Sequence, residues 1–144
     1  MRAFAVAVLL LASTAIADPN QGPPSGRPNM YKPKPRVMFA SQQALDETSL
    51  SVEAVTAKIK AAYLPGLLRC YEKALKQDPS LRGKVRVLLT VGTRGLVTDK
   101  QAQGFPQVDD CVEPMLVAWR FAIPKKDDKP TSASFAIVFA MTLE

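Results

Sequence analysis

Fifteen residues decide the fold: Lys84 to Thr98, KVRVLLTVGTRGLVT. Val85, Val87, Leu89 and Val91 alternate with Lys84, Arg86, Leu88 and Thr90. That period of two predicts a strand. Gly92-Thr93-Arg94-Gly95 follows, a tight turn whose glycines tolerate positive φ. Leu96-Val97-Thr98 opens a return strand that fades through Asp99, Lys100 and Gln101. The two runs form a β-hairpin, so they are antiparallel neighbours.

Upstream of the hairpin the period changes. Val52, Val55, Ile59 and Ala62, then Leu64, Leu67, Leu68, Tyr71 and Leu75, fall at helical spacing. Ser49 or Ser51 can cap the start, and Pro65-Gly66 predicts a kink or a break into two helices. Downstream, a second helix is expected from Asp109 or Asp110 to Trp119, with Val108, Cys111, Val112, Met115, Ala118 and Trp119 on its apolar face. Pro124 to Pro130 reads as a charged loop. Phe135, Ile137, Phe139, Met141 and Leu143 alternate with Ala136, Val138, Ala140 and Thr142, which gives a last strand. The order helix-strand-strand-helix-strand predicts a two-layer α+β domain with a three-stranded antiparallel sheet and both helices on one face. The more apolar hairpin strand takes the centre, and the last strand flanks it.

The N-terminal part reads differently. Met1-Arg2, the apolar run Ala3 to Ala12 and the small residues of Ala15-Ile16-Ala17 have the form of a secretory signal peptide, residues 1–17. The run Ala3 to Ala17 falls below the ~17–25 residues that span a bilayer. Residues 18–36 hold six of the twelve prolines, together with Arg27, Lys32, Lys34 and Arg36 against Asp18 alone. Proline at that density excludes a helix or a central strand, so a stiff cationic tether is expected, reaching roughly 60 Å over residues 18–36. Residues 37–48 are transitional, with Val37-Met38-Phe39 able to pack on the domain. The organisation is thus signal peptide 1–17, Pro/Lys-rich tether 18–48 and folded domain 49–144. The expected location is the periplasm, free or associated with the envelope.

Composition closes off much chemistry. The 144 residues include no histidine and two cysteines. Histidine-dependent triads, histidine zinc sites, four-thiolate metal sites and iron–sulfur clusters are therefore excluded. Cys70 and Cys111, an even pair in an exported chain, are expected to close a disulfide between the two helices. Without C-x-x-C spacing, a redox role is the weaker reading. Trp119 and Tyr71 sit among aliphatics at helical spacing and read as core; Arg69, Lys73 and Lys76 read as a solvated face. Asp109-Asp110 reads as capping and Asp127-Asp128 as loop, and neither offers the oxygen-rich loop that calcium needs. No cofactor and no enzymatic activity are expected.

Residues about 58–144 resemble the AgmX/PglI C-terminal domain, a TonB-like periplasmic module. The resemblance rests on Cys70-Tyr71-Glu72, on Pro79-Ser80-Leu81-Arg82-Gly83-Lys84-Val85 and on Val91-Gly92-Thr93-Arg94-Gly95-Leu96-Val97. Cys111-Val112 and Trp119-Arg120-Phe121 with Pro124 complete it. Arg94 stands where the family usually has an acidic residue. Energy transducers of the TonB kind keep an N-terminal membrane anchor, which the segment 1–17 does not supply. The resemblance therefore implies a binding or adaptor domain that takes up a partner's peptide strand at a sheet edge.

The sequence locates that edge on the last strand, at Ser134, Phe135, Ala136, Ile137 and Val138. Thr131 to Leu143 carries neither proline nor charge, the usual guards of an open edge. The edge is open unless an oligomer or residues 37–48 cover it. The expected partner is an envelope protein or peptide strand. The alternative is an anionic cell-wall polymer or lipid surface held by the basic tether; nucleic acid does not suit an exported chain.

Overall fold

The helical layer rests on one long amphipathic stretch with a fault in it. In the computed structural model, which describes residues 32–144, α1 (Val52–Lys58) runs into a π-helical turn (Ile59–Tyr63) and then into α2 (Leu64–Leu75). Ser51 caps α1 by accepting the Ala54 N–H at 3.1 Å. Pro65 has no N–H to donate and its ring crowds the preceding turn. The chain accommodates it by widening that turn, so that the Leu64 N–H bonds the Ile59 carbonyl. The expected kink at Pro65-Gly66 is thus a π-turn just ahead of the proline.

The sheet has four strands, not three. Its order is β1 (Pro35–Ala44), β6 (Ala133–Leu143), β2 (Gly83–Val91) and β3 (Val97–Gln103), all antiparallel. The order β3–β2–β6 matches the sequence reading. The added strand comes from residues assigned there to the end of the tether, and the compact unit runs from Pro33 to Glu144. Val37 and Phe39 are half-buried against the core, with the Phe39 and Phe139 rings 5.2 Å apart. Pro35 opens the outermost strand, a position a proline can hold. The signal segment 1–17 and most of the tether 18–36 lie outside the described residues.

Burial alternates along β2 and β6. Val85, Val87, Leu89 and Val91, with Ala133, Phe135, Ile137, Phe139 and Met141, are buried against the helices. Lys84 and Arg86 on the opposite face are exposed. The hairpin turn closes through Gly95 N–H to the Gly92 carbonyl at 2.9 Å, and only Gly95 of its two glycines has positive φ, 77°. A Cβ at Gly95 would also collide with the Phe121 carbonyl oxygen.

The second helix, α3, is Pro106–Met115, shifted toward the N-terminus from the expected span, and a 3-10 turn (Leu116–Ala118) follows it. Pro106 suits the first turn. Asp109 sits inside the helix and reaches back to accept the Phe105 N–H at 3.1 Å. Pro114 leaves the Asp110 carbonyl without its helical donor, and the α-helix ends one residue later. The charged loop 124–130 is a small hairpin, β4 (Lys125–Lys126) and β5 (Lys129–Pro130), turned by Asp127 and Asp128 at φ 52° and 62°. Those angles suit a type I′ turn. Ser49 does not cap α1; its hydroxyl accepts the Lys125 N–H at 2.8 Å.

Tyr71 is buried and donates to the Leu81 carbonyl at 2.5 Å, tying α2 to the start of the sheet. Burial pushes its phenol above the ordinary value, partly offset by the Arg82 guanidinium. A raised folded pKa means that the unfolded chain releases this proton first. The Tyr71 contribution is therefore complete below pH about 10 and lost as pH rises through the folded value. Tyr71→Phe should destabilise by about 1 kcal/mol at neutral pH through the lost hydrogen bond. Thermal melts from pH 8 to 11 should show the wild type losing its advantage over the variant in the alkaline range.

Candidate functional site

Cys70 on α2 and Cys111 on α3 form a disulfide, with Cα atoms 5.7 Å apart and a sequence separation of 41. Cys70 is buried and Cys111 half-buried, and the Met115 Sδ lies 3.9 Å from the Cys70 Sγ. A groove of about 280 Å³ passes over the bond, lined by Lys73, Ala74, Gln77, Gln107 and Asp110. The bond holds the two helices together above the sheet.

The five residues Ser134 to Val138 do not form an open edge. Ala136, Ile137 and Val138 pair with Gln43, Gln42 and Ser41 of β1 on one side and with Leu88, Val87 and Arg86 of β2 on the other. Phe135 and Ile137 are buried in the core. Ser134 donates its N–H to the Asp46 carboxylate at 2.8 Å, accepts the Leu45 N–H at its carbonyl, and shares a 2.8 Å hydroxyl contact with Thr90. Residues 35–44 thus cover the edge in cis, the exception the sequence reading allowed. The strand is uncharged because it is central, not because it awaits a partner.

Among the described residues, the free edges belong to β1 and β3. The Lys34 and Glu144 backbones exchange two hydrogen bonds, 2.8 and 2.9 Å, and the Leu45 N–H donates to Ser134. Alternation from these two ends directs Arg36, Met38, Ser41 and Gln43 at β6. Val37, Phe39, Gln42 and Ala44 then present their backbone groups outward. A register shift between Phe39 and Ser41 places a bulge at Ala40. From Val37 to Ala44 the strand carries no charge and no proline, whereas β3 carries Asp99 and Lys100. The less guarded edge is that of β1.

The remaining residues singled out in the sequence are dispersed. Trp119 is buried and Arg69, Lys73 and Lys76 are exposed. No group of three or more His, Cys, Asp or Glu is gathered among the described residues. None of their helices is long and apolar enough to cross a membrane. Sequence reasoning missed a second cluster, in which the Tyr63 ring stacks on Trp119 at 4.9 Å and 6° with Phe121 edge-on to both. Helical periodicity could not find it, because residues 119–121 are extended rather than helical. Comparison of the chain with protein-family models, curated proteins and solved structures finds no match.

Replacing Cys70 and Cys111 together with serine should leave the fold intact at room temperature while removing a closed loop worth roughly 4 kcal/mol by the chain-entropy account. The corresponding drop in Tm is about 15 °C. Scanning calorimetry of oxidised wild type against the double variant checks it, and thiol titration of the unreduced wild type should find no free cysteine.

Proposed function

We propose that the chain is a non-enzymatic binding or adaptor protein of the cell envelope, exported to the periplasm, with a TonB-like domain akin to the AgmX/PglI C-terminal domain. Its partner is an envelope protein that contributes an extended strand. The observation that carries this reading is the outer edge of β1, where Val37, Phe39, Gln42 and Ala44 hold backbone groups with no neighbour strand among the described residues. Strand addition gains affinity from main-chain hydrogen bonds and specificity from alternate side chains. The order helix, hairpin, helix, strand supports the TonB-like reading. The exported location rests on the sequence of residues 1–17. What changes from the sequence reading is the edge, from β6 to β1. This also puts the docking strand directly after the tether, so a captured partner would be held at the tether's end.

The test separates outward from inward amides. Gln42→Pro removes an outward N–H on an exposed residue and should leave the melting temperature within a few degrees of wild type. Gln43→Pro removes a β1–β6 bond and should destabilise. With a photoreactive residue at Ser41 and envelope extract as the source, wild type should cross-link one protein at moderate salt, identified by mass. Gln42→Pro should lose that product. Equal cross-linking by Gln42→Pro sinks the reading. Loss of the product with added salt in wild type transfers the attachment to the basic tether.

A further inference from the structure

The aromatic cluster has a groove beside it. Leu50, Ala54 and Lys58 form one wall, and Arg120, Phe121 and Ala122 the other, around a volume of about 450 Å³. Leu50 is buried and Phe121 half-buried, which gives an apolar floor. Lys58 and Arg120, both exposed, line the groove. The Lys58 Nζ stands 6.0 Å from the centre of the Tyr63 ring. Among the described residues the only ion pair joins Arg36 to Glu144, so neither Lys58 nor Arg120 is paired with a carboxylate.

The Arg120 wall is fixed from two directions. The Tyr63 hydroxyl accepts the Arg120 N–H at 2.8 Å and lies 3.2 Å from the Arg120 carbonyl. The Phe121 N–H donates to the Gly95 carbonyl at 2.9 Å, and Arg120 bridges Leu96 across the same contact. The next two residues differ. Ala122 and Ile123 are exposed, and their N–H groups have no backbone acceptor among the described residues. Large apolar surface also lies nearby: Ile123 is 42% exposed, and Leu96, bridged to Arg120, is 36% exposed.

We infer that this groove is a second binding site, for an extended acidic peptide. Its carboxylate is taken between Lys58 and Arg120, and its neighbouring apolar side chains rest on Leu50, Ala54 and Phe121. Two exposed cations without ion-pair partners beside an apolar floor complement an anion that carries hydrophobic groups. The apolar floor of Leu50, Ala54 and Phe121 favours a peptide with hydrophobic side chains over a phosphate polymer, and the free N–H of Ala122 at the groove can donate to a peptide carbonyl. The site is independent of the outer edge of β1.

Trp119 is the chain's one tryptophan, so its emission reports on the Tyr63 stack beside the groove. The probe is a short capped peptide with two glutamates flanked by leucine and valine, titrated into the full chain at low salt. A saturable change in Trp119 emission is expected. The Lys58→Gln/Arg120→Gln double variant should bind about tenfold more weakly or worse. Both side chains are exposed, so the variant should keep its circular dichroism and Tm. The same peptide with glutamine for glutamate should lose affinity comparably, and Gln42→Pro should bind the acidic peptide as wild type does. Unchanged affinity in the double variant, or equal binding of the neutral peptide, overturns the inference. So does binding of phosphatidylglycerol vesicles, lost in the double variant, without binding of the peptide, since that assigns the cations to a lipid surface.

Discussion

Strand β6 is paired along both flanks, with β2 over nine consecutive residues and with β1 across a bulge. Five of its side chains, Ala133, Phe135, Ile137, Phe139 and Met141, are buried beneath the helices. A one-residue slip on either side would turn that row to solvent. The registers of β1 and β2 are therefore fixed relative to each other through β6, although neither touches the other in the sheet order. The disulfide acts in the layer above, joining α2 to α3 across the 41-residue separation that contains the hairpin. Sheet and helices are thus clamped separately, and burial of the row on β6 joins the two clamps.

Much of this frame was legible in the residues. The alternation of Val85 to Val91 and of Phe135 to Leu143 gave two strands and their order, and the cysteine pair gave the link between helices. The missing strand was harder because its signal is weak. Val37 and Phe39 alternate, but Ala40 interrupts the period and Ser41-Gln42-Gln43 has no apolar face. Local pattern reports which residues seek burial; it does not report which exposed segment completes a sheet through main-chain bonds alone. The same limit explains why the sequence reading puts the open edge on β6, which is a central strand. An uncharged, proline-free run is expected both of an open docking strand and of a central one. The ends of α3 moved for a different reason, since Pro106 starts a helix as readily as an aspartate caps one, and Pro114 stops it before Trp119.

Covering β6 in cis has a physical consequence for recognition. An uncharged strand left open is an aggregation hazard, and β1 removes it at the cost of creating another edge. The new edge is milder, with a bulge at its middle and Pro35-Arg36 at its start. None of the side chains of β1 is fully buried, so its hold on the domain is mostly main-chain bonding plus Val37 and Phe39. A strand held in that manner can accept a further strand without exposing core, because the buried row belongs to β6 and stays covered.

The groove at Lys58 and Arg120 arises from two local departures from regular structure. The π-turn ahead of Pro65 includes Tyr63, whose ring stacks on Trp119 and whose hydroxyl holds the Arg120 backbone. Gly95, at positive φ and without a Cβ, lets the Phe121 carbonyl approach the hairpin turn. With an ordinary α-helical turn at residues 59–63, Tyr63 would rotate relative to α2; with a side chain at position 95, the segment after Trp119 would be pushed away. Both irregularities converge on one residue, Arg120. The backbone there is fixed by groups from α1–α2 and from the hairpin, while its guanidinium is left exposed. Rigidity of the main chain beneath a free charge lowers the ordering cost of binding.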